Sequence, residues 1–179
     1  MKISITGHTR GIGKCVYDIF PDALVFSRSN GYDITIPEIR KQIFLESREC
    51  DVFINNANSN PDFGQLLLLY EFWERWKDQK KIIINIGSRA SDLAYHAHYP
   101  HYKYAIQKLA LEGASKYMSH TEKPCKVVCI KPGFVDTESV QNITSPKIDP
   151  KEVALFIKDL LENNKTFWIP VVTLYPNKI

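Results

Sequence analysis

The chain has 179 residues, of which 44% are hydrophobic and 24% charged, with a formal net charge of +3. That length suits one substantial core and is short for two ordinary domains, and the balance of apolar and charged residues excludes the composition of a disordered chain. The basic residues are scattered without a block that would suit nucleic acid, no apolar stretch approaches the ~20 residues of a membrane span, and Met1 leads straight into a strand-like run; a cytoplasmic protein is expected.

Strand-like apolar runs occur at Lys2 to Thr6, Ala23 to Ser27, Asp51 to Asn55, Lys81 to Ile86, Lys126 to Ile130 and Thr166 to Val172, with helical patterns between them. This alternation predicts a single α/β domain over 1–179, a doubly wound, Rossmann-type parallel sheet between two helical layers. Lys14 to Phe20 is compatible with a first helix. Thr35-Ile36-Pro37-Glu38 has the form of a capping box and predicts a helix from Pro37 to about Arg48. Gln65 to Lys77 reads as a helix that is apolar all round through Leu66 to Tyr70, so it needs two partners, the sheet and a second subunit. Tyr104 opens a further helix in which Ile106, Leu109, Ala110, Gly113, Ala114 and Tyr117 form the stripe expected to be buried. Asp149-Pro150-Lys151-Glu152 begins the last helix, whose buried face is Val153, Phe156, Ile157, Leu160 and Leu161. Cys15, Cys50, Cys125 and Cys129 lack metal-ligand spacing and are expected to be reduced and mostly buried. The sequon Asn142-Ile143-Thr144 is read as a chance occurrence.

The first run ends in Thr6-Gly7-His8-Thr9-Arg10-Gly11-Ile12-Gly13. A glycine-rich turn between a strand and a helix lets backbone amides approach a pyrophosphate, and the helix start adds about half a positive charge, so this is a dinucleotide site. An acid at the end of the second strand would hold a ribose hydroxyl; Ser27-Arg28 stands there instead. Arg28 and Arg10 can converge on a 2′-phosphate, which favours NADP(H) over NAD.

Ser88 stands two residues after the Lys81–Ile86 run, at the sheet edge where such folds bind ligands. The four-residue spacing of Tyr104 and Lys108 puts a phenol and an ammonium on one helix face. Lowering a phenol by about 3 units requires roughly 4 kcal/mol, which is the scale of an ammonium about 4 Å away at an effective dielectric near 20. Tyr99 and Lys103 have the same spacing, but Pro100 puts Tyr99 in the preceding loop.

Taken together, T-G-x-x-x-G-x-G, Asn55-Asn56-Ala57-Asn58, Ser88, Y-x-x-x-K and Pro132-Gly133-x-Val135-x-Thr137 resemble the short-chain dehydrogenases/reductases, over most of the chain. The resemblance implies a dinucleotide bound by Gly7, Thr9, Arg10, Gly11, Ile12, Gly13, Ser27, Arg28, Asp33 near the adenine, Asn55, Asn56, Ala57, Tyr104, Lys108 on the nicotinamide ribose, and Pro132, Gly133, Val135 and Thr137. It implies hydride transfer to or from a small carbonyl or alcohol, with Ser88, Tyr104 and Lys108 as the catalytic residues, in a homodimer or homotetramer joined through helices near 65–77 and 104–119. The alternative is a non-catalytic NADP(H)-binding regulator.

Two departures stand out. Asn58 replaces the final glycine of the asparagine turn, a mild change because asparagine tolerates a left-handed backbone. The stretch between Asn58 and Lys81 holds one helix where the family has two, and neither Asn58 nor Asn60 fits its relay asparagine, so that role has no residue. Tyr95, His96 and His98 are either a solvated loop or, with Phe134, part of a substrate pocket; they do not form a metal set.

Overall fold

In the computed structural model, residues 1–59, 62–162 and 168–177 are described. The β-branched and aromatic runs form strands β1 (Ile3–Thr6), β2 (Leu24–Phe26), β3 (Val52–Asn55), β4 (Ile82–Ile86), β5 (Lys126–Pro132) and β6 (Val171–Leu174). All pair in parallel in the order β2-β1-β3-β4-β5-β6. The connections are α1 (Gly11–Ile19), α2 (Pro37–Ser47), α3 (Gly64–Trp76), α4 (Tyr102–Ser119) and α5 (Pro150–Glu162), with short 3-10 turns at Arg28–Asn30, Arg89–Leu93 and Glu138–Val140. This is the Rossmann-type three-layer architecture. Relative to a 3-2-1-4-5-6 order it has one fewer strand outside β2, so β2 is an edge and Asp33 follows it almost directly.

Register decides the two cores. Phe53, Ile83 and Val127 lie side by side and join the cluster under α2, α3 and α4, whereas Ile54, Ile84 and Val128, one residue on, face α1 and α5. The first cluster is rich in aromatics: Phe72 stacks on Phe53 with ring centroids 3.6 Å apart, and Trp76 is fully buried. Both faces of the sheet are therefore dry, as an all-parallel sheet requires.

Several expectations are corrected. Thr35 does not cap α2, since its N-cap is Ile36 without a side-chain bond; Asp33 Oδ1 instead accepts from the Thr35 amide at 2.9 Å. The stripe expected to be buried on α4 is not its core face: Ile106 is 44% and Tyr117 74% exposed, Gly113 is exposed, and Leu109, Ala110 and Ala114 are half-buried; the buried residues are Ala105, Gln107, Lys108, Leu111, Ser115 and Met118. The helix turns Gln107, Lys108 and Ser115 toward the sheet and leaves Ile106 and Tyr117 outside. Asn58 adopts no left-handed backbone, because every described residue with positive φ is glycine. The last strand begins at Val171; Thr166 and Phe167 lie outside the described residues, as does Asn60.

Other expectations hold. All four cysteines are free and three are buried. Asp149 Oδ1 accepts from the Lys151 amide at 2.8 Å, and Val153 and Ile157 of α5 are fully buried. Among the described residues only α3 connects β3 to β4, and no helix is long and apolar enough to cross a membrane.

Candidate active site

Strand order reverses between β1 and β3, which opens a crevice at their carboxyl ends. The glycine turn lies there. Gly7 (φ 74°) and Gly11 (φ 55°) occupy left-handed backbone that only glycine adopts without strain. Gly13 is required for a different reason: a Cβ on it would stand 2.0 Å from the Gly7 carbonyl oxygen, so α1 packs directly on the turn. No acid occupies the first turn of α1, and its N-cap Arg10 makes no side-chain cap, leaving the leading amides of α1 free of side-chain partners.

The asparagine turn is built onto this loop. Asn56 Nδ2 donates to the carbonyls of Thr6 (3.1 Å) and Gly7 (3.0 Å), while Thr6 Oγ1 accepts from the amides of Asn56 (3.1 Å) and Ala57 (3.0 Å). Thr137 closes the other side, its methyl 3.1 Å from where a Gly11 Cβ would be. Thus Thr6–Gly13, Asn55–Ala57 and the end of the 132–137 segment, far apart in sequence, share one crevice. The glycines fit the backbone cradle a dinucleotide pyrophosphate needs.

At the end of β2, Asn30 Oδ1 accepts from the Ser27 amide (2.7 Å) and hydroxyl (3.0 Å), and Gly31 turns the chain with φ 93°. This leaves the Arg28 side chain exposed. Arg10 is also exposed, paired with Glu138 at 3.1 Å; with both partners about 70% exposed, that pair is weak and open to exchange for a ligand phosphate. The turn amide of Thr35 holds the Asp33 carboxyl below its ordinary range.

At the far end of the crevice, the Tyr104 phenol is half-buried in the first turn of α4, beside Ser88. Burial pushes the phenol above its ordinary value, the Ser88 hydroxyl draws it back in part, and neighbouring Tyr99 adds to the rise. The expected lowering by Lys108 is thus absent from the protein alone. The physical reason is that Nζ lies over the ring, 5.5 Å from its centroid, and burial lowers the ammonium itself to about 8. Lys108 is 3% exposed, donating to Gln65 Oε1 (2.7 Å) and the Ile86 carbonyl (3.0 Å). The competing Tyr99 and Lys103 fall apart: Tyr99 is in the loop and Lys103 is exposed.

Ser88 is held from below. Its hydroxyl accepts from the Ala90 amide at 3.1 Å, and its carbonyl accepts from Ser91 Oγ at 3.0 Å. Ser91 also donates to Glu112 (2.6 Å), which with Asp92 pairs the buried Lys131 at 2.8 and 2.6 Å. The Tyr95, His96 and His98 segment is exposed; His96, His98 and Tyr99 line a cavity of about 320 Å³ whose lining includes neither Ser88, Tyr104 nor Phe134. Gly133 lies instead against Pro176 and Arg89, beside the end of β6.

Sequence reasoning missed Gln65, Asn85 and Ser115. Asn55 Nδ2 donates to Asn85 Oδ1 (2.9 Å) and to the Gln65 carbonyl (2.9 Å), and Asn85 donates to Ser115 Oγ (3.0 Å). The one available signal was polar residues at core positions of apolar runs, as in Ile-Asn-Ile at 84–86.

No family profile and no curated protein matches this sequence. Solved structures do match. A short-chain dehydrogenase from Burkholderia cenocepacia J2315 in complex with NADP has a TM-score of 0.77 at 20% identity, covering 98% of this chain and 87% of that one. A short-chain dehydrogenase/reductase from Vibrio parahaemolyticus has a TM-score of 0.75 at 20% identity, covering 98% and 99%. The 3-alpha-hydroxysteroid dehydrogenase from Pseudomonas sp. B-0831, complexed with NADH, has a TM-score of 0.75 at 20% identity over 98% and 94%. The chain has the fold of these short-chain dehydrogenases/reductases across nearly its whole length.

Proposed function

We propose that this protein is an NADP(H)-dependent oxidoreductase that interconverts a small carbonyl compound and its alcohol. The observation that carries the reading is the placement of the Tyr104 phenol beside Ser88 at the carboxyl edge of the sheet, with the Lys108 ammonium buried one helical turn beyond the phenol and over its ring. In this reading the Gly7–Gly13 turn and the start of α1 hold the pyrophosphate. Ser27, Arg28 and Arg10 take the 2′-phosphate, Asp33 the adenine, Asn55 to Ala57 the central stretch, and Pro132, Gly133, Val135 and Thr137 the nicotinamide end. Solved relatives in fold carry NADP, NADPH or NADH, so the preference for NADP(H) rests on the two arginines and the missing acid.

When bound, the nicotinamide supplies the hydride. The protein's own part is proton handling and orientation. The Ser88 hydroxyl donates a hydrogen bond to the substrate oxygen, and the Tyr104 phenol gives its proton as negative charge develops there. A phenol kept neutral by burial is in the form that donates, which favours reduction. Two acceptors engage Lys108, so its third hydrogen is available to the cofactor ribose. Free cysteines throughout suit a reducing cytoplasm.

Screening NADPH oxidation over a panel of small aldehydes and ketones tests the reading, with Tyr104→Phe expected to lose at least about 100-fold in kcat while keeping its NADPH affinity. Undiminished turnover in that variant would sink the assignment. NADPH binding with no turnover of any carbonyl would point to the regulatory alternative.

A further inference from the structure

Gln65 stands in the first turn of α3, 5% exposed, with both ends of its amide engaged. Nε2 donates to the carbonyls of Asn55 (2.7 Å) and Ile86 (3.0 Å). These bonds fix the orientation of the amide, because the flipped form would set oxygen against two carbonyl oxygens. Oε1 is thereby aimed at Lys108, whose Nζ donates to it at 2.7 Å. One side chain thus ties together the end of β3 before Asn56 and Ala57, the end of β4 before Ser88, and the α4 turn carrying Tyr104 and Lys108.

The chemistry of this contact is specific. The Lys108 ammonium is held by two neutral dipoles, an amide and a carbonyl, and by no carboxylate. The titratable groups around it are few. On α4 they are Tyr104 and Glu112, the latter occupied by Lys131 of β5 at 2.8 Å. From β5 comes Cys129, a thiol that burial pushes up to about 12 and so keeps neutral. From α3 and β4 the facing groups are the Gln65 amide and the Ile86 carbonyl. A carboxylate at 65 would cancel the ammonium, and a hydrocarbon would leave it one acceptor short.

We propose that Gln65 is a positioning residue for the reaction, fixing the Lys108 ammonium while leaving its charge uncancelled toward Tyr104 and the dinucleotide. This rests on the oxidoreductase reading, but the hold on Lys108 is measurable without turnover. Lysine labelled with ¹³C at Cε is titrated by NMR, and Lys108→Met identifies the Lys108 signal. In the wild type that signal is expected to titrate near 8, below the ordinary lysine value of 10.5. In Gln65→Glu, which preserves size, it moves up to or beyond the ordinary lysine range near 10.4; in Gln65→Met it moves down. Circular dichroism and thermal unfolding verify that both variants are folded, and the isosteric glutamate keeps the test available if the methionine variant unfolds.

In steady-state carbonyl reduction, Gln65→Glu is expected to lose about tenfold in kcat, because the carboxylate cancels the ammonium toward the dinucleotide, and to shift the basic limb of its pH profile upward, because Lys108 then keeps its proton to higher pH. A Lys108 signal unmoved in Gln65→Glu overturns the proposal. So does a pH–rate profile superimposable on that of the wild type. If the wild-type protein binds NADPH but reduces no carbonyl, the oxidoreductase reading fails separately. The Gln65 assignment is then decided by NADPH affinity, which must fall about tenfold in Gln65→Glu and whose constancy overturns it.

Discussion

A methyl group added at residue 13 would meet a backbone oxygen, which cannot rotate out of the way. With the Cβ 2.0 Å from the Gly7 carbonyl and 2.5 Å from Asn56 Nδ2, Gly13→Ala must push α1 off the turn. The expected cost is about 1–3 kcal/mol in urea unfolding, with NADPH affinity reduced further because the amides lose their alignment. Unchanged stability and affinity in this variant would contradict the packing described here. Lys108 makes a prediction with a sign. Its folded value of about 8 lies below its ordinary 10.5, so between those pH values the unfolded chain binds more protons and the lysine's contribution to stability rises with pH. The thiols act oppositely, since burial raises Cys125 and Cys129 to about 12 and they oppose unfolding less as pH climbs past 9. The difference between wild type and Lys108→Met isolates the lysine: it should grow in favour of the wild type from pH 8 to about 10, by an amount on the order of 2–3 kcal/mol. A flat difference would show that Lys108 titrates normally. At this scale the sequence was informative wherever a geometry is encoded by local spacing, as with the glycines of 7–13 or the i,i+4 pair Tyr104 and Lys108. Gln65 was hidden because its partners lie 10, 21 and 43 residues away and it borders a run of leucines.

At the scale of elements, the short turn Arg89–Leu93 positions Ser88 through charges buried beneath it. Lys131 is 4% exposed, and its pairs with Asp92 and Glu112 outweigh the burial that alone would lower it, leaving it above its ordinary value. Lys131→Met should therefore cost about 3 kcal/mol in stability, because Glu112 is left in the interior without a counter-charge. The double variant Lys131→Met with Glu112→Gln should recover most of that loss, as read by urea denaturation; a double variant as unstable as the single would mean that the methionine, and not the orphaned carboxylate, is at fault. The same helix shows why periodicity alone misled. In α4 the face toward the sheet carries Lys108, Gln107 and Ser115, polar residues that read as solvent-facing, while Ile106 and Tyr117 read as core and are exposed. Polar groups buried against the sheet, where hydrogen bonds satisfy Lys108 and Ser115, invert the usual pattern. In α5, where nothing but packing is at stake, the periodicity identified Val153 and Ile157 correctly.

At the scale of the molecule, that inverted helix leaves an apolar surface. Tyr102, Ile106 and Tyr117 are exposed along one stripe of α4, and a Cβ on Gly113 within the stripe would touch nothing within 4 Å. Neighbouring α3 adds Leu67 and Tyr70, each over 40% exposed. A stripe of large apolar side chains around a glycine suits close approach of another helix, and a two-fold axis would let the stripe cover itself. The expectation is a homodimer, or a tetramer built from it, through α3 and α4. Light scattering after size exclusion should give at least twice the chain mass of 20.6 kDa. Ile106→Glu combined with Gly113→Arg should return a folded monomer, since both changes lie on the exposed stripe and touch neither Tyr104 nor Lys108. A wild-type protein monomeric at tens of micromolar would rule the interface out. Because α4 carries Tyr104 and Lys108, the proposed catalytic pair, away from this stripe, the monomeric variant should also separate two contributions. NADPH affinity set by β1, α1 and β2 is expected to persist, while any loss in kcat would measure how far the partner helix steadies Tyr104.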